Sequence, residues 1–363
     1  MGMEFNKIKL PFRIKQPILA LGSQRKNTIC FARDALAYLG PIQDDLSDPG
    51  DFLRFKKTAE FFLRKKPKII CSDVHPEYIS TKFGSQIKAK GIRFVSAQHH
   101  HAHIASCMAE NGLKNEPAIG VAFDGTGMGA DNTLWGGEFL VCDYKSFQRA
   151  AHLSEIALIG GERSIKEPWR LLAALNLDIP KGIDKKKWQF IKEMRKRGIN
   201  TVFASSMGRL FDLAACLILQ RNLARFEAEL AVELERTAFS FQSSAFSYNF
   251  KIKKHKGQYI IDPEPIFKQI ARDMSAKVAR PEIAYRFHLS VAEMIRKTCL
   301  ILRKNYKINK VALSGGVFQN RLLLSMTLAS LYKEGFKTII HKKLSCNDSG
   351  ISLGQAVIAS LRS

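Results

Sequence analysis

Four of the chain's nine histidines fall within five positions, in the stretch QHHHAHIASCMAEN that runs from residue 98 to 111. Residues four apart on a helix share a face, so His99 and His103 can present two imidazole nitrogens to one metal ion. His100 and His101 point elsewhere, as groups behind the ligands or on the surface. A histidine pair alone packs or caps more often than it ligates, so the metal reading needs partners. Two aspartates supply them: Asp124 in FDGTGMG (123–129) and Asp348 in CNDSG (346–350). Two imidazoles and two carboxylates make a competent site for iron(II), zinc or manganese, with positions left open for substrate. A first-turn aspartate such as Asp348, taken alone, is most often just a helix cap. Ligation needs neutral imidazoles, so metal retention is expected to fall under mildly acidic conditions.

Three further loops carry polar or glycine-rich clusters. LGSQRKNT (21–28) reads as a hairpin turn in which Lys26, Asn27 and Thr28 can donate to a phosphate or acyl oxygen; many such turns only connect strands. In the stretch after Asp124, Gly125, Thr126 and Gly127 can bring backbone N–H groups close to an anion. In LSGGVFQNRLL (313–323), Gly315 and Gly316 separate a strand from a helix and allow a base or ribose to lie on the backbone, with Asn320 as a hydrogen-bonding partner.

The elements that must position these groups follow from the apolar pattern. PILALGSQRKNTICFARDALAYLG reads as two strands around a polar turn, and PAIGVAFDGTGMGADNTLWGGEFLVCDY repeats that arrangement around DGTGMG. Between them lie an amphipathic helix, the strand PKIICSDVHP, a helix, the strand IRFVSAQ and the histidine helix. Residues 165–305 read as mostly helical, and the tail as two strand–loop–helix units. The polar clusters sit at strand ends, where open α/β sheets place ligands. The expected architecture is a duplicated α/β fold with a cleft between its copies.

Composition narrows the class. The 363 residues are 46% hydrophobic and 25% charged, as in a globular chain, and no stretch has the length of a bilayer-spanning helix. Seven scattered cysteines without a C-x-x-C pair argue against structural zinc and a disulfide framework, so a reducing cytoplasm is the expected compartment. Lys and Arg outnumber Asp and Glu by 57 to 33, a formal charge of +24. The densest basic stretch, 180–198, reads as a helix with a solvated face, which disfavours a nucleic-acid role although the charge favours anionic partners.

Seven motifs resemble one family: SDVHPEYIST, QHHHAHIAS, AFDGTGMGADNTLWGGEFL, EPWRLLAAL, SSMGRLFDLAA, ALSGGVFQNRLLL and NDSGISLGQA look like the C-terminal region of the hydrogenase maturation carbamoyltransferase HypF. The similarity runs from about Leu10 to the last helix with the motifs in order. It implies an actin/Hsp70/sugar-kinase type fold, two ribonuclease-H-like halves around a nucleotide and metal cleft. The implied halves are 1–115 and 116–363, with a helical insertion at about 165–305 and the last helix packing back on the first half. By the resemblance, His99, His103, Asp124 and Asp348 match metal ligands, with iron(II) or zinc the favoured ion and magnesium a further candidate. Gly125 to Gly127 match a phosphate loop, Gly208 and Asp212 the ribose contact, and Gly315, Gly316 and Asn320 the adenosine loop. Lys26 and Asn27 match residues at the carbamoyl-phosphate end, and Asp124 joins them as a catalytic candidate.

The implied activity is transfer of a carbamoyl group from carbamoyl adenylate to the C-terminal cysteine of a HypE-type partner, toward the cyanide ligand of [NiFe] hydrogenase. ATP, AMP or carbamoyl adenylate would be the nucleotide. The adenylate would come from an adenylate-forming domain on another chain, because the upstream domains of a complete member are not recognised here; no membrane partner is expected. The chain departs from the pattern in two places. The family tends to Tyr-Glu-Gly where this chain has Phe226-Glu227-Ala228, with Glu227 among the nucleotide contacts, and to Pro-Gly-Gly-Asp where it has Ile159-Gly160-Gly161-Glu162. Competing readings are a small-molecule O-carbamoyltransferase, a tRNA-modifying relative and a non-catalytic nucleotide-binding subunit.

Overall fold

The computed structural model describes residues 4–88, 91–241 and 245–362. In the first half, β1 (Asn6–Ala20), β3 (Cys30–Leu39), β5 (Ile69–Asp73) and β6 (Arg93–Ala97) form one sheet in the order β3-β1-β5-β6. The β1–β3 pair is antiparallel and the other two contacts are parallel. Short strands β2 (Arg25–Asn27) and β4 (Gln43–Asp45) pair at its end, and α1 (Pro49–Leu63) and α2 (Ile79–Lys88) cover one face. Asp48 caps α1 by accepting from the Asp51 amide, with Pro49 at the first turn.

The second half carries the five-strand pattern of a ribonuclease-H-like sheet. Strands β7 (Ala118–Met128), β8 (Leu134–Cys142), β9 (Phe147–Leu153), β14 (Lys310–Ser314) and β15 (Lys337–Ile339) lie in the order β9-β8-β7-β14-β15. The meander β7-β8-β9 is antiparallel, and β14 and β15 join parallel to β7. The halves are therefore unequal: among the described residues the first sheet has the meander's first two strands but no third. Both belong to the actin/Hsp70/sugar-kinase fold class.

Between β9 and β14 the chain inserts β10 (Ile156–Ile159), α4 (Arg163–Lys166), α5 (Trp169–Ala174), α6 (Lys185–Lys196), β11 (Thr201–Ser206), α7 (Met207–Leu219), α8 (Glu229–Phe239), the hairpin β12 (Lys251–His255) and β13 (Gln258–Asp262), α9 (Glu264–Ser275) and α10 (Arg280–Tyr306). The insertion is less purely helical than its periodicity predicts. Strand β11 pairs with both β8 and β10, and β13 adds to β9, so the sheet grows on this side. α11 (Arg321–Lys333) follows β14.

The element that joins the halves is α3 (His99–Glu110), buried from His99 through Ala109. A helix buried on every side must be apolar or internally satisfied; here Ala102, Ile104, Ala105, Cys107 and Met108 pack with α12 (Ile351–Leu361), β1 and β7 in a shared core. Gln355 of α12 accepts from the Gly22 amide at 2.8 Å, and Thr28 donates to the Ser349 carbonyl at 2.8 Å. The last helix and the 3-10 turn before it are thus fastened to the first hairpin.

Candidate metal and nucleotide site

Strand β6 ends at Ala97, and Gln98 starts α3 by accepting from the His101 amide at 2.8 Å. This cap fixes the helix phase and turns His99 and His103 to one side. Their Nε2 atoms lie 3.4 and 3.1 Å from Asp124 Oδ2, and 3.8 and 3.5 Å from Asp348 Oδ1. One ligand atom from each of the four residues falls within 4.8 Å of all the others. Two imidazoles and two carboxylates converging this closely suit a divalent cation.

Each donor is held from behind. His99 Nδ1 is 2.8 Å from Asp73 Oδ2, at the end of β5, and both side chains are buried. His103 Nδ1 is 3.4 Å from Ser314 Oγ, which lies 2.8 Å from His341 Nε2, with His341 Nδ1 3.3 Å from Glu110 Oε2. Asp124 Oδ1 accepts from the amides of Gly125 (2.8 Å) and Gly316 (3.2 Å), so only Oδ2 faces the imidazoles. Asp348 opens a 3-10 turn, Asp348–Gly350, but the cap is its neighbour Asn347, whose side chain accepts from Ser349. The Asp348 carboxylate is therefore available to the histidines.

The charges reinforce one another. Burial alone would lower the imidazoles, yet Asp73, Asp348 and Asp124 hold His99 well above its ordinary range, and Asp124 and Asp348 raise His103. Burial would likewise raise Asp124, but hydrogen bonds from His103 and His99 keep it well below the usual carboxylate range. His100 and His101 are not surface groups. Both are buried: His100 Nδ1 accepts from the Gln98 side-chain amide at 3.1 Å, and His101 Nε2 meets the Asp143 carbonyl at 2.6 Å. Burial holds His100 well below its ordinary value and pushes His101 down to about 4.

Beside the four donors lies the glycine stretch. It is not a turn, because β7 continues to Met128 and the pairing with β8 shifts register between Phe123 and Gly127. Asp124, Gly125 and Thr126 thus form a bulge within the strand, opposite Gly136, and Gly127 resumes the pairing with Trp135. A side chain at Gly208, on α7, would come within 2.8 Å of the Gly125 Cα, so α7 rests directly on the bulge. Gly315 has φ +102°, and a side chain there would strike the Phe123 carbonyl oxygen at 2.2 Å. The adenosine-loop candidates therefore stack against the Asp124 strand.

Other predicted residues are placed differently. Asn27 is buried, and its amide nitrogen donates to the carbonyls of Leu21 (2.7 Å) and Ser23 (2.5 Å), so that nitrogen is not free to face a ligand. Lys26 is exposed with φ +44°, on the hairpin tied to the Asp348 turn. Asn320 caps α11, its Oδ1 accepting from Leu323 and its Nδ2 lying 2.9 Å from His288 Nε2. Asp212 is buried 2.8 Å from Arg209, and burial raises it despite that cation. Glu227 reaches over Gly125, where its Oε1 would be 2.9 Å from an added Cβ.

Sequence reasoning passed over Asp73, Ser314, His341, Glu110 and His288. For Asp73 a signal existed: it ends a buried-type strand, the position that singled out Asp124. Ser314 also ends a strand, but a serine there carries no comparable signal.

The fold is that of the actin/Hsp70/sugar-kinase class, and the four-donor cluster, which could hold a metal ion, lies where its two halves meet. Residues 120–355 match the family described as "Carbamoyltransferase, Kae1-like Domain, second subdomain", and residues 13–110 match the HypF Kae1-like domain. The chain is 32% identical to a carbamoyltransferase HypF homolog of Cupriavidus necator, over 94% of this chain and 91% of that protein. It is also 32% identical to carbamoyltransferase HypF of a Synechocystis species, over 96% of this chain but 48% of that one. A full-length HypF in a phosphate- and nucleotide-bound form superposes with a TM-score of 0.91 at 38% identity, covering 98% of this chain and 57% of that one. The chain belongs to the HypF carbamoyltransferase family. It spans about half the length of the Synechocystis relative.

Proposed function

We propose that the chain is a carbamoyltransferase domain that moves a carbamoyl group from carbamoyl adenylate to the C-terminal cysteine of a HypE-type acceptor. The observation that carries this reading is the convergence of His99, His103, Asp124 and Asp348 beside the glycine bulge of β7. Such a cluster suits a cation, and the backbone beside it would suit a phosphate. Family membership supports the transferase class.

In this reading the cysteine sulfur, as thiolate, attacks the carbamoyl carbon; a C–S bond forms, the C–O bond to the phosphate breaks, and AMP leaves. The four residues would hold a divalent cation, iron(II) or zinc, which when bound supplies Lewis-acid polarisation of the carbamoyl group. The chain's own contribution is positioning. Asp73 and Ser314 orient the imidazoles, while the Gly125 and Gly316 amides lock Asp124 so that one oxygen faces the site. The Gly125–Gly127 stretch offers a seat for the AMP phosphate, and the Gly315–Gly316 loop a surface for adenosine. Lys26 remains a candidate for the carbamoyl end. The adenylate would come from a separate domain or chain, in the cytoplasm. Among the described residues no helix is long and apolar enough to cross a membrane.

The test offers the chain carbamoyl adenylate made in place by an adenylate-forming domain, with a HypE-type acceptor in one arm and small hydroxyl acceptors in the other. Carbamoylation confined to the protein's terminal cysteine supports the reading; carbamoylation of the hydroxyls alone replaces it with the small-molecule rival.

A further inference from the structure

Arg25 and Glu227 meet across the cleft. Arg25 lies on β2 of the first half and Glu227 between α7 and α8 of the second, yet Arg25 Nη1 is 3.2 Å from Glu227 Oε2. Arg25 Nε is also 3.1 Å from Asp45 Oδ2, on the neighbouring strand. The other Glu227 oxygen lies over Gly125. A carboxylate therefore sits on the backbone that would receive a phosphate, held there by a guanidinium from the opposite half.

We propose that Arg25 is a ligand-binding residue of this cleft: when the phosphate of an adenylate takes the place of the Glu227 carboxylate at Gly125, the guanidinium passes from the carboxylate to the phosphate. The proposal rests on the reading of the cleft as an adenylate site. Two anions cannot share the bulge without repulsion, so an arriving phosphate displaces Glu227. The exchange costs little, because Arg25 is 62% and Glu227 45% exposed, and exposed pairs are weak. Asp45 keeps hold of Nε, which leaves Nη1 on the side of Glu227. The planar guanidinium fork matches phosphate oxygens as well as it matches a carboxylate. Because the two residues belong to different halves, the exchange also releases the direct link from Arg25 to Glu227 and replaces it with a ligand-bridged one.

The test is calorimetric titration of the whole chain with AMP and, separately, with adenosine, which lacks only the phosphate. Arg25→Ala is expected to weaken AMP about tenfold, the scale of one charge-assisted hydrogen bond, and to leave adenosine within about twofold. Arg25→Lys should fall between wild type and Arg25→Ala. Glu227→Gln should raise the ratio of AMP to adenosine affinity by removing the competing charge. Equal losses for both ligands in Arg25→Ala, no loss for either, or a lowered ratio in Glu227→Gln would overturn the proposal while leaving the adenylate reading in place. If wild type binds neither AMP nor adenosine, the adenylate reading fails and the proposal falls with it.

Discussion

The buried carboxylate of Asp73 lies 2.8 Å from Nδ1 of His99, on the side of the ring opposite the Nε2 that faces Asp124 and Asp348. A ligating imidazole needs its other nitrogen protonated and engaged, and a carboxylate there fixes both the tautomer and the ring plane. His103 has the longer, neutral contact to Ser314 at 3.4 Å. Asp73→Asn should therefore weaken zinc binding by about 10- to 100-fold, and Ser314→Ala by less. The substituted side chain would keep an oxygen for the His75 amide, now 3.0 Å from Asp73 Oδ1, so the loop should hold its shape. Competition titration against a zinc chelator measures both, and an equal or larger loss in Ser314→Ala would reverse the ranking.

Metal binding should release protons at neutral pH. His99 and His103 are both raised by the surrounding carboxylates, so without metal they hold their protons to higher pH than free imidazoles, and ligation must expel those still bound. Zinc affinity should rise with pH, with protons released as the ion binds. Calorimetry in buffers of different ionisation enthalpy counts them. The metal-free chain should behave in the opposite sense. A raised imidazole stabilises the fold below its unfolded pKa, and that contribution is lost as pH climbs through the folded one. Zinc affinity that is flat from acid to alkaline pH would contradict the assignment.

Ala228 precedes α8 with φ +63° and ψ +4°, a left-handed conformation that a Cβ disfavours. Ala228→Gly should raise stability by about 0.5–1 kcal/mol, the relieved strain being partly offset by greater freedom of the unfolded chain. The urea midpoint reads the change. A drop would mean the methyl makes contacts that outweigh the strain.

Gly315 is the opposite case. Its φ of +102° and the nearby Phe123 carbonyl leave no room for a side chain. Gly315→Ala should cost about 2 kcal/mol or more, through backbone shift as well as strain. The same shift would pull the Gly316 amide from Asp124, so zinc affinity should fall too. Destabilisation with unchanged zinc affinity would show the two loops to be independent.

The i, i+4 spacing of His99 and His103 was readable because a helix converts sequence interval into a shared face. Asp124 was singled out as a strand-end residue, but β7 runs on to Met128, so the strand end that the sequence suggested is the bulge inside the strand. What was not readable depends on contacts between distant segments. Asn27 is absorbed by its own hairpin, and Asn320 is divided between a cap and His288, 32 positions away. His100 and His101 turn out buried because α3 is enclosed on all sides, which its polar composition conceals. The bulge at residues 124–126 looks like a turn because glycines mark both. The reversal itself comes afterwards, where Asp131 Oδ1 accepts from the Thr133 amide at 3.1 Å and from Trp135 Nε1 at 2.9 Å. Strand β11 is hidden in a helical region because it is short and pairs only at long range.

The most direct measurement is the intact mass of a HypE-type acceptor after incubation with this chain and carbamoyl adenylate supplied by a separate adenylate-forming domain. A carbamoyl increment on the terminal cysteine that disappears when His99→Ala/His103→Ala replaces the wild-type chain is the predicted result. No increment with confirmed adenylate and bound metal, or an increment that survives the double substitution, would contradict the account.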